Sequence, residues 1–492
     1  MYEDRILSAA LRNKVMGAEE ASRFIRGGMT LGASGFTRIG YPKAVPAVVA
    51  AKKSADKLTL IAGASVGDEL DGAFARAGLT ARRYPFQTHK DVQNGVNNGS
   101  ILLGDIHLSR AAQMIRKGAL GNIDVAILEC CQVNEDGSFV PTLSVGISNA
   151  LAECADKVIL ELNVLHPLEL CGLHDIAERT SAEMTLTHPT GRVGGPFVPL
   201  DPEKIAAIVI SDIPDQYPSY DAPDDTSKAI AGMILDLFQA EVKRGTLPEK
   251  FCIQSGTGTV ANAVLDLLAD SPLRGLFMYT EVLQDGALHL VEKGVIASAS
   301  GTSLCLSKEA RELFFERLGF FKDRIVLRPQ EISNCDALIR RFGVVSMNTA
   351  VEADIYGNVN SSHVSGSRII NGIGGSADFT RNAGLSLFIT PSVAKNGKIS
   401  CIVPMATHVD NTEHDVQILV TEQGIADLRG LAPKERAARI IRNCCHPDYR
   451  PALQDYFDRA CALTGAAHTP HDLQTAFAWH QRYAETGSMK DA

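Results

Sequence analysis

No excess of positive charge runs through this sequence. Its formal net charge is −9, which leaves no electrostatic footprint for nucleic acid or an anionic membrane and room only for a local basic pocket around a phosphorylated ligand. No apolar run reaches the length of a membrane span. The eleven cysteines include the neighbours Cys130–Cys131 and Cys444–Cys445 but no C-x-x-C spacing. Their odd number and placement argue against a disulfide framework or zinc ribbon and for reduced thiols in a cytosolic protein. There is no proline, glutamine or serine tract and a single Trp, while 45% of residues are hydrophobic and 21% charged. That is an ordinary globular composition, with nothing to suggest disorder. The opening MYEDRILSAALRNKVM mixes acids and bases from residue 3 onward, so it reads as an amphipathic helix and not as a signal or transit peptide.

What is present is a recurring alternation. Short apolar runs, LTLIAG at 58–63, VAILEC at 125–130, KVILELN at 157–163 and KIAAIVI at 204–210, are separated by helical patterns such as DIHLSRAAQMIRKGAL at 105–120. They read as buried parallel strands in β-α-β units, hence an α/β protein. At 492 residues the chain is long enough for two large lobes. The stretch SDIPDQYPSYDAPDD at 211–225, with three prolines and five aspartates, is the best linker candidate. The expected domains are therefore 1–220 and 221–492, the second opening on the amphipathic helix SKAIAGMILDLFQAEVKRG at 227–245.

Two glycine-rich turns and one carboxylate stand out. QSGTGTVANAV, 254–264, follows the apolar KFCI and enters a helix, so the backbone N–H groups of Gly256 to Thr259 are placed to meet an oxyanion or phosphate. NGIGGSADFTRN, 371–382, is a second such turn, and its glycines do not fall at a dinucleotide fingerprint. In YTEVLQDG, Glu281 follows the apolar strand GLFMYT, whose end would deliver the side chain to the crevice where α/β sheets bind ligands. A carboxylate with an ordinary pKa near 4.3 is ionised at neutral pH and serves as a nucleophile toward an activated acyl group. Such a reaction needs an oxyanion hole, a task suited to glycine-rich backbone.

YTEVLQDG, QSGTGTVANAV, RPQEISN at 328–334, ADIYGNVNSSHVSG at 353–366, GIGGSADFTRNAG at 372–384 and VTEQGIADLRGL at 420–431 together resemble the acetyl-CoA hydrolase/transferase family. Within it the likeness is greatest to succinyl-CoA:acetate and propionyl-CoA:succinate CoA-transferases. It extends to GYPKAVP at 40–46 and GASVGDELDGAFARAGLTARRYPFQT at 63–88. The resemblance implies two open α/β lobes with largely parallel sheets, of the class I CoA-transferase kind, with the active site between them and Glu281 on the C-terminal lobe. It implies ping-pong chemistry in which Glu281 carries a glutamyl-CoA thioester, with acyl-CoA and short carboxylates as substrates, no permanently bound cofactor and no metal, and a cytoplasmic homodimer.

Site roles follow from the same resemblance. Thr257 and Gly375 match the backbone oxyanion donors, each of which typically contributes about 2.7–4 kcal/mol to lowering the barrier. Gly256, Thr257, Gly258, Thr259, Val260, Asn371, Gly375 and Lys395 match CoA-binding positions, and Asn334 and Glu422 match polar residues beside the nucleophile. Read locally, Asn334 would cap a helix and Glu422 would begin one. Three positions depart from the family pattern: Thr257 stands where Val is usual, Ala377 where Gly is common, and Arg38 where a small residue or proline is usual. Arg38 would meet a second carboxylate or a CoA phosphate, or lie on the surface as an ordinary charge. HVDNTEH at 408–414 lacks the spacing of a helical metal site. An acyl-CoA hydrolase on the same scaffold and a non-catalytic acyl-CoA sensor are the rival readings. The intact Glu281 between intact glycine turns speaks against the sensor.

Overall fold

The apolar runs form parallel strands. The structure, a computed structural model, describes residues 2–52, 57–218, 222–256 and 258–490. One open sheet has seven strands in the order Leu102–Leu103, Thr80–Tyr84, Leu58–Ala62, Thr30–Ala33, Ile123–Cys130, Ala155–Asn163 and Ile205–Ser211. Every neighbouring pair in it is parallel. Successive side chains point to opposite faces, and both faces are covered. Ala126, Leu128 and Cys130 pack with Ile115 and Leu151 on one side, while Val125 and Ile127 pack with Val45 and Phe74 on the other. Burial on both faces is why the central strands, such as VAILEC within Ile123–Cys130, read as apolar runs with little polar alternation.

The chain divides into two compact units, residues 1–219 with 277–342, and residues 220–276 with 343–492. The first change of unit falls where the proline-rich stretch was read as a linker. The segment 277–342 packs with the N-terminal residues, an arrangement the simple division at 220 did not contain. Main-chain hydrogen bonds explain it: Leu304 N donates to Leu143 O at 2.9 Å, Val145 N to Thr302 O at 2.9 Å, Asp175 N to Leu327 O at 2.9 Å and Gln330 N to Gly146 O at 2.8 Å. In this segment lie the strand Leu276–Tyr279 from its second residue on and the strands Ile296–Gly301 and Ile325–Leu327, the last two parallel.

In the second unit, Cys252–Ser255, Val345–Thr349, Leu385–Ile389 and Ile418–Thr421 are parallel neighbours in that order. Gly424–Asp427 returns antiparallel on the last of them. Its core gathers Phe388, Leu419, Ile440, Leu453 and the single Trp, Trp479. The helix expected at 227–245 spans Asp225–Arg244, with the Asp224 side chain accepting from Ser227 N and Gly245 closing it at φ 76°. The N-terminal amphipathic helix is reduced to one turn, Ala9–Arg12. There the sheet wins over local helix preference: Leu7 N donates to Val133 O at 2.9 Å and Met16 N to Ile208 O at 3.0 Å. The cysteines form no disulfide, and eight of the eleven are buried, as core fillers would be.

Charges are also buried inside the first unit. Lys43 is fully buried, its ammonium 2.5 Å from Glu129 Oε2 and 2.8 Å from Asp215 Oδ1. Burial works against the charge on Lys43, yet the two carboxylates hold its pKa above the ordinary lysine range. Glu161 accepts from the backbone N–H groups of Lys43, Ala44 and Val45 at 2.6, 2.8 and 3.2 Å, at the start of the helix Ala44–Lys52. Two histidines are buried in the same unit. Burial pushes His166 down to about 3 and His174 down to about 4, each from 6.5. The His174 ring Nε2 donates to Thr142 O at 2.8 Å.

The unfolded chain protonates these imidazoles below about pH 6.5 while the folded chain does not, so their contribution to stability is complete above that pH and is lost as pH falls toward 4. Between pH 7 and pH 5 each contributes a loss of about 2 kcal/mol. Urea unfolding of His174→Gln at the two pH values should show a drop smaller than wild type by about that amount; an unchanged difference would mean that His174 is not neutral in the fold.

Candidate active site

Glu281 lies just beyond the strand Leu276–Tyr279, as its sequence position suggested. Thr280 N donates to Ser300 O at 3.0 Å, and the Glu281 carbonyl accepts from Thr302 N at 2.8 Å and Ser303 N at 3.3 Å. A Cβ added to Gly301 would lie 3.1 Å from the Glu281 carbonyl oxygen and 3.3 Å from Leu283, so glycine lets the two segments approach. The strand itself is pinned by Tyr279, which is fully buried, donates its hydroxyl to Ile332 O and sets its ring edge-on to Phe342 at 5.0 Å.

Asn334 meets the Glu281 side chain. It is fully buried and follows the single helical turn Gln330–Ser333. Its Nδ2 donates to Glu281 Oε1, while its Oδ1 accepts from the Ser333 hydroxyl at 3.0 Å. The ionised carboxylate only accepts, so the amide turns its nitrogen to Glu281 and its oxygen to the Ser333 hydroxyl. The local reading of Asn334 as a helix cap is half right: it ends that turn, but its side chain is spent on Glu281.

The other sequence-predicted residues belong to the second unit. Gly256 follows the strand Cys252–Ser255, with its N–H on Met347 O at 3.0 Å. Gly258, at φ 129°, adopts a conformation that favours glycine, and Thr259 and Val260 open the helix Thr259–Asp270. Thr257 lies outside the described residues. Gly375 precedes the helix Ser376–Asn382, after Gly374 at φ 58°. Asn371 Nδ2 donates to Ser361 O at 3.2 Å. Lys395 is exposed, at φ 51°, in the turn between the paired strands Val393–Ala394 and Ile399–Ser400.

Glu422 begins no helix; it sits in the hairpin between Ile418–Thr421 and Gly424–Asp427. Its carboxylate accepts from Ser392 N at 2.8 Å, from the Ser392 hydroxyl and from Gln423 Nε2 at 3.0 Å. Burial pushes its pKa up, but these donors outweigh that and hold it below the ordinary glutamate range. The Arg38 side chain is exposed, in the turn between Phe36 and Ile39, where the β-branched Thr37 is held at φ 55°. The His408 ring stacks on His363 at 3.9 Å and its Nε2 lies 3.2 Å from Asp410 Oδ1. Glu129, His166 and Asp215 could offer a metal three buried ligand atoms, but the Lys43 ammonium already lies between the two carboxylates. A cavity of about 610 Å³ in the second unit, lined by Glu413, His414, Arg429, Arg436 and His468 among others, contains none of the predicted site residues.

Comparison with known proteins decides the lineage. Residues 3–210 match the Acetyl-CoA hydrolase/transferase N-terminal domain and residues 312–457 the C-terminal domain of the same name. The chain belongs to the acetyl-CoA hydrolase/transferase family. It is 46% identical to the succinyl-CoA:acetate CoA-transferase of Clostridium kluyveri, covering 99% of this chain and 92% of that one. It is 41% identical to the propanoyl-CoA:succinate CoA transferase of Escherichia coli, over 96% and 98%, and 43% identical to the acetyl-CoA hydrolase of Saccharomyces cerevisiae, over 100% and 98%. Among solved structures it is similar to RipA from Yersinia pestis, with a TM-score of 0.70 at 22% identity over 91% of this chain and 97% of that one. A 4-hydroxybutyrate CoA-transferase from Porphyromonas gingivalis gives a TM-score of 0.66 at 21% identity, over 93% and 100%. Both support the α/β fold with largely parallel open sheets. The protein is thus an enzyme of a family that uses acyl-CoA substrates, and among the described residues no helix is long and apolar enough to cross a membrane.

Sequence reasoning missed the residues that hold Glu281 and Asn334 in place. Tyr279 and Ser333 lie inside YTEVLQDG and RPQEISN, but neither side chain carries a reactive signal of its own. Ser392, the partner of Glu422, has no local signal at all. Gly301→Ala should lower stability by about 1–3 kcal/mol, as overpacking does, since the methyl would press on the Glu281 carbonyl and Leu283. Thermal unfolding checks this, and an unchanged midpoint would show that the two segments have slack.

Proposed function

We propose that the protein is a CoA-transferase that moves CoA between short-chain acyl-CoA and carboxylic acids, succinyl-CoA with acetate or propionyl-CoA with succinate, by a ping-pong route through Glu281. The observation that carries this reading is the Glu281 carboxylate at a strand end with the buried Asn334 amide on its Oε1. A hydrogen bond to an ionised group is about twice as strong as a neutral one, so the amide holds one oxygen and orients the group for attack.

In this reading a Glu281 carboxylate oxygen attacks the thioester carbonyl, the C–S bond breaks and CoA leaves as thiolate, giving an acyl-glutamyl anhydride. The thiolate attacks the glutamyl carbonyl, the anhydride C–O bond breaks and the first acid departs as carboxylate, leaving glutamyl-CoA thioester. A second carboxylate attacks that thioester and expels the thiolate, which then takes the new acyl group and frees Glu281. Each step moves an electron pair between groups already named, so the exchange is balanced without ATP. Gly256, Gly258, Thr259, Val260, Asn371, Gly375 and Lys395 of the second unit are the proposed CoA-binding residues, with Thr257 among them. Gly375 and Thr257 are proposed to supply oxyanion donors, and Glu422 is proposed as a further catalytic carboxylate.

A second reading, acyl-CoA hydrolysis, is favoured by the relatives named acetyl-CoA hydrolase at 41–43% identity. It differs in whether water reaches the anhydride or the thioester. Mass spectrometry of the intact protein after mixing with succinyl-CoA or acetyl-CoA, for wild type and Glu281→Ala, separates the readings. A CoA-sized gain on wild type that borohydride removes and the mutant lacks is the expected result. Free thiol accumulating without an adduct would establish the hydrolase, and neither signal would overturn both.

A further inference from the structure

The amide that meets Glu281 is presented by a single helical turn, Gln330–Ser333, too short to hold its own shape. It is gripped from outside. Gln330 Nε2 donates to Leu108 O at 2.8 Å, and its backbone N–H donates to Gly146 O at 2.8 Å. The next residue, Glu331, is 3% exposed and reaches the other way. Its Oε2 accepts from Arg116 Nη1 at 2.7 Å, and its Oε1 accepts from Arg116 Nη2 and Asn149 Nδ2, both at 2.9 Å. Leu108 and Arg116 are the first and last residues of one helix, about 12 Å apart at 1.5 Å per residue. Adjacent residues of the turn are therefore tied to opposite ends of a rigid rod, which fixes both the position and the rotation of the turn. Arg116 is steadied in its place by a third prong, Nε to Glu153 Oε2 at 2.6 Å.

We propose that Arg116 is a positioning residue for the reaction: its two-pronged contact with Glu331 sets the rotation of the Gln330–Ser333 turn that delivers the Asn334 amide to Glu281 Oε1. The inference rests on the reading of Glu281 as nucleophile. The planar guanidinium matches a carboxylate with two parallel hydrogen bonds, which a lysine ammonium does not reproduce. Without that fork, a buried Glu331 carboxylate is left short of donors and the turn shifts to find others. A shift of about 1 Å in a group that orients the reacting atoms costs about a hundredfold in rate.

The test is a double-mutant cycle on the turnover of succinyl-CoA with acetate, using wild type, Arg116→Lys, Asn334→Ala, the double variant and Glu281→Ala, with thermal midpoints for each. Arg116→Lys should lower kcat by roughly ten- to a hundredfold while KM for the acyl-CoA stays within about twofold. In the Asn334→Ala background the same change should have no further effect on kcat, because the group it positions is gone. Rate losses that multiply, or a lowered midpoint with kcat unchanged, would overturn the proposal and leave the fork a purely structural contact. If Arg116→Lys does not fold, the isosteric Glu331→Gln decides by the same cycle. Glu281→Ala tells the two failures apart: an inactive Glu281→Ala with multiplying losses sinks only the positioning role, whereas a fully active one removes the nucleophile and the proposal together.

Discussion

The hydrogen bond from the Asn334 amide to Glu281 Oε1 is the interaction on which the arrangement around Glu281, and the chemistry proposed for it, depends. A glutamate at a strand end is by default one more solvated charge, free to sample rotamers that lead nowhere. A buried donor changes that: the Asn334 amide also meets the Ser333 hydroxyl through its oxygen, and Tyr279 holds the turn that carries it. The same strand end thus brings both the proposed nucleophile, Glu281, and its restraint, from Tyr279 two residues earlier. Both sit in the one short stretch YTEV.

The position of Glu281 was legible because strand ends are legible. A run of apolar residues followed by a polar one announces where a parallel strand stops, and the runs at 58–63, 125–130 and 157–163 correspond to strands Leu58–Ala62, Ile123–Cys130 and Ala155–Asn163. What holds the site was not legible. Arg116 and Glu331 stand 215 residues apart in sequence, and a pairing of that span leaves no trace in local composition or period. The N-terminal segment failed for the opposite reason: its local helical pattern was real, but sheet edges offered its backbone better partners. The local alternative for Glu422, a helix start, fails because a TEQG sequence suits a helix start and a tight hairpin alike.

Buried charge plays a second, architectural part. The stretch at 211–225 looked like a linker from its prolines and aspartates, and most of it has no regular structure. Yet Asp215 within it is buried, accepting from Gly40 N at 3.1 Å and lying 2.8 Å from the Lys43 ammonium. A buried ion pair of this kind is weak evidence for stability, since desolvation offsets much of the attraction, but breaking one partner leaves an uncompensated charge. Seating Asp215 beside Lys43 therefore holds this point of the chain inside the first unit.

That the first unit is assembled from residues 1–219 and 277–342 also has a meaning in time. A ribosome makes about 5–20 residues per second, so the N-terminal part waits roughly 6 to 25 s between the synthesis of residue 219 and that of residue 342. During that wait Gly146 and Leu143 lack the backbone partners they have in the finished protein, and the helix Leu108–Arg116 has no turn to grip. The seven-stranded sheet can form early, because all its strands precede residue 212. The part that orients Glu281 cannot, so the newborn chain acquires its scaffold first and the restraint on that carboxylate last.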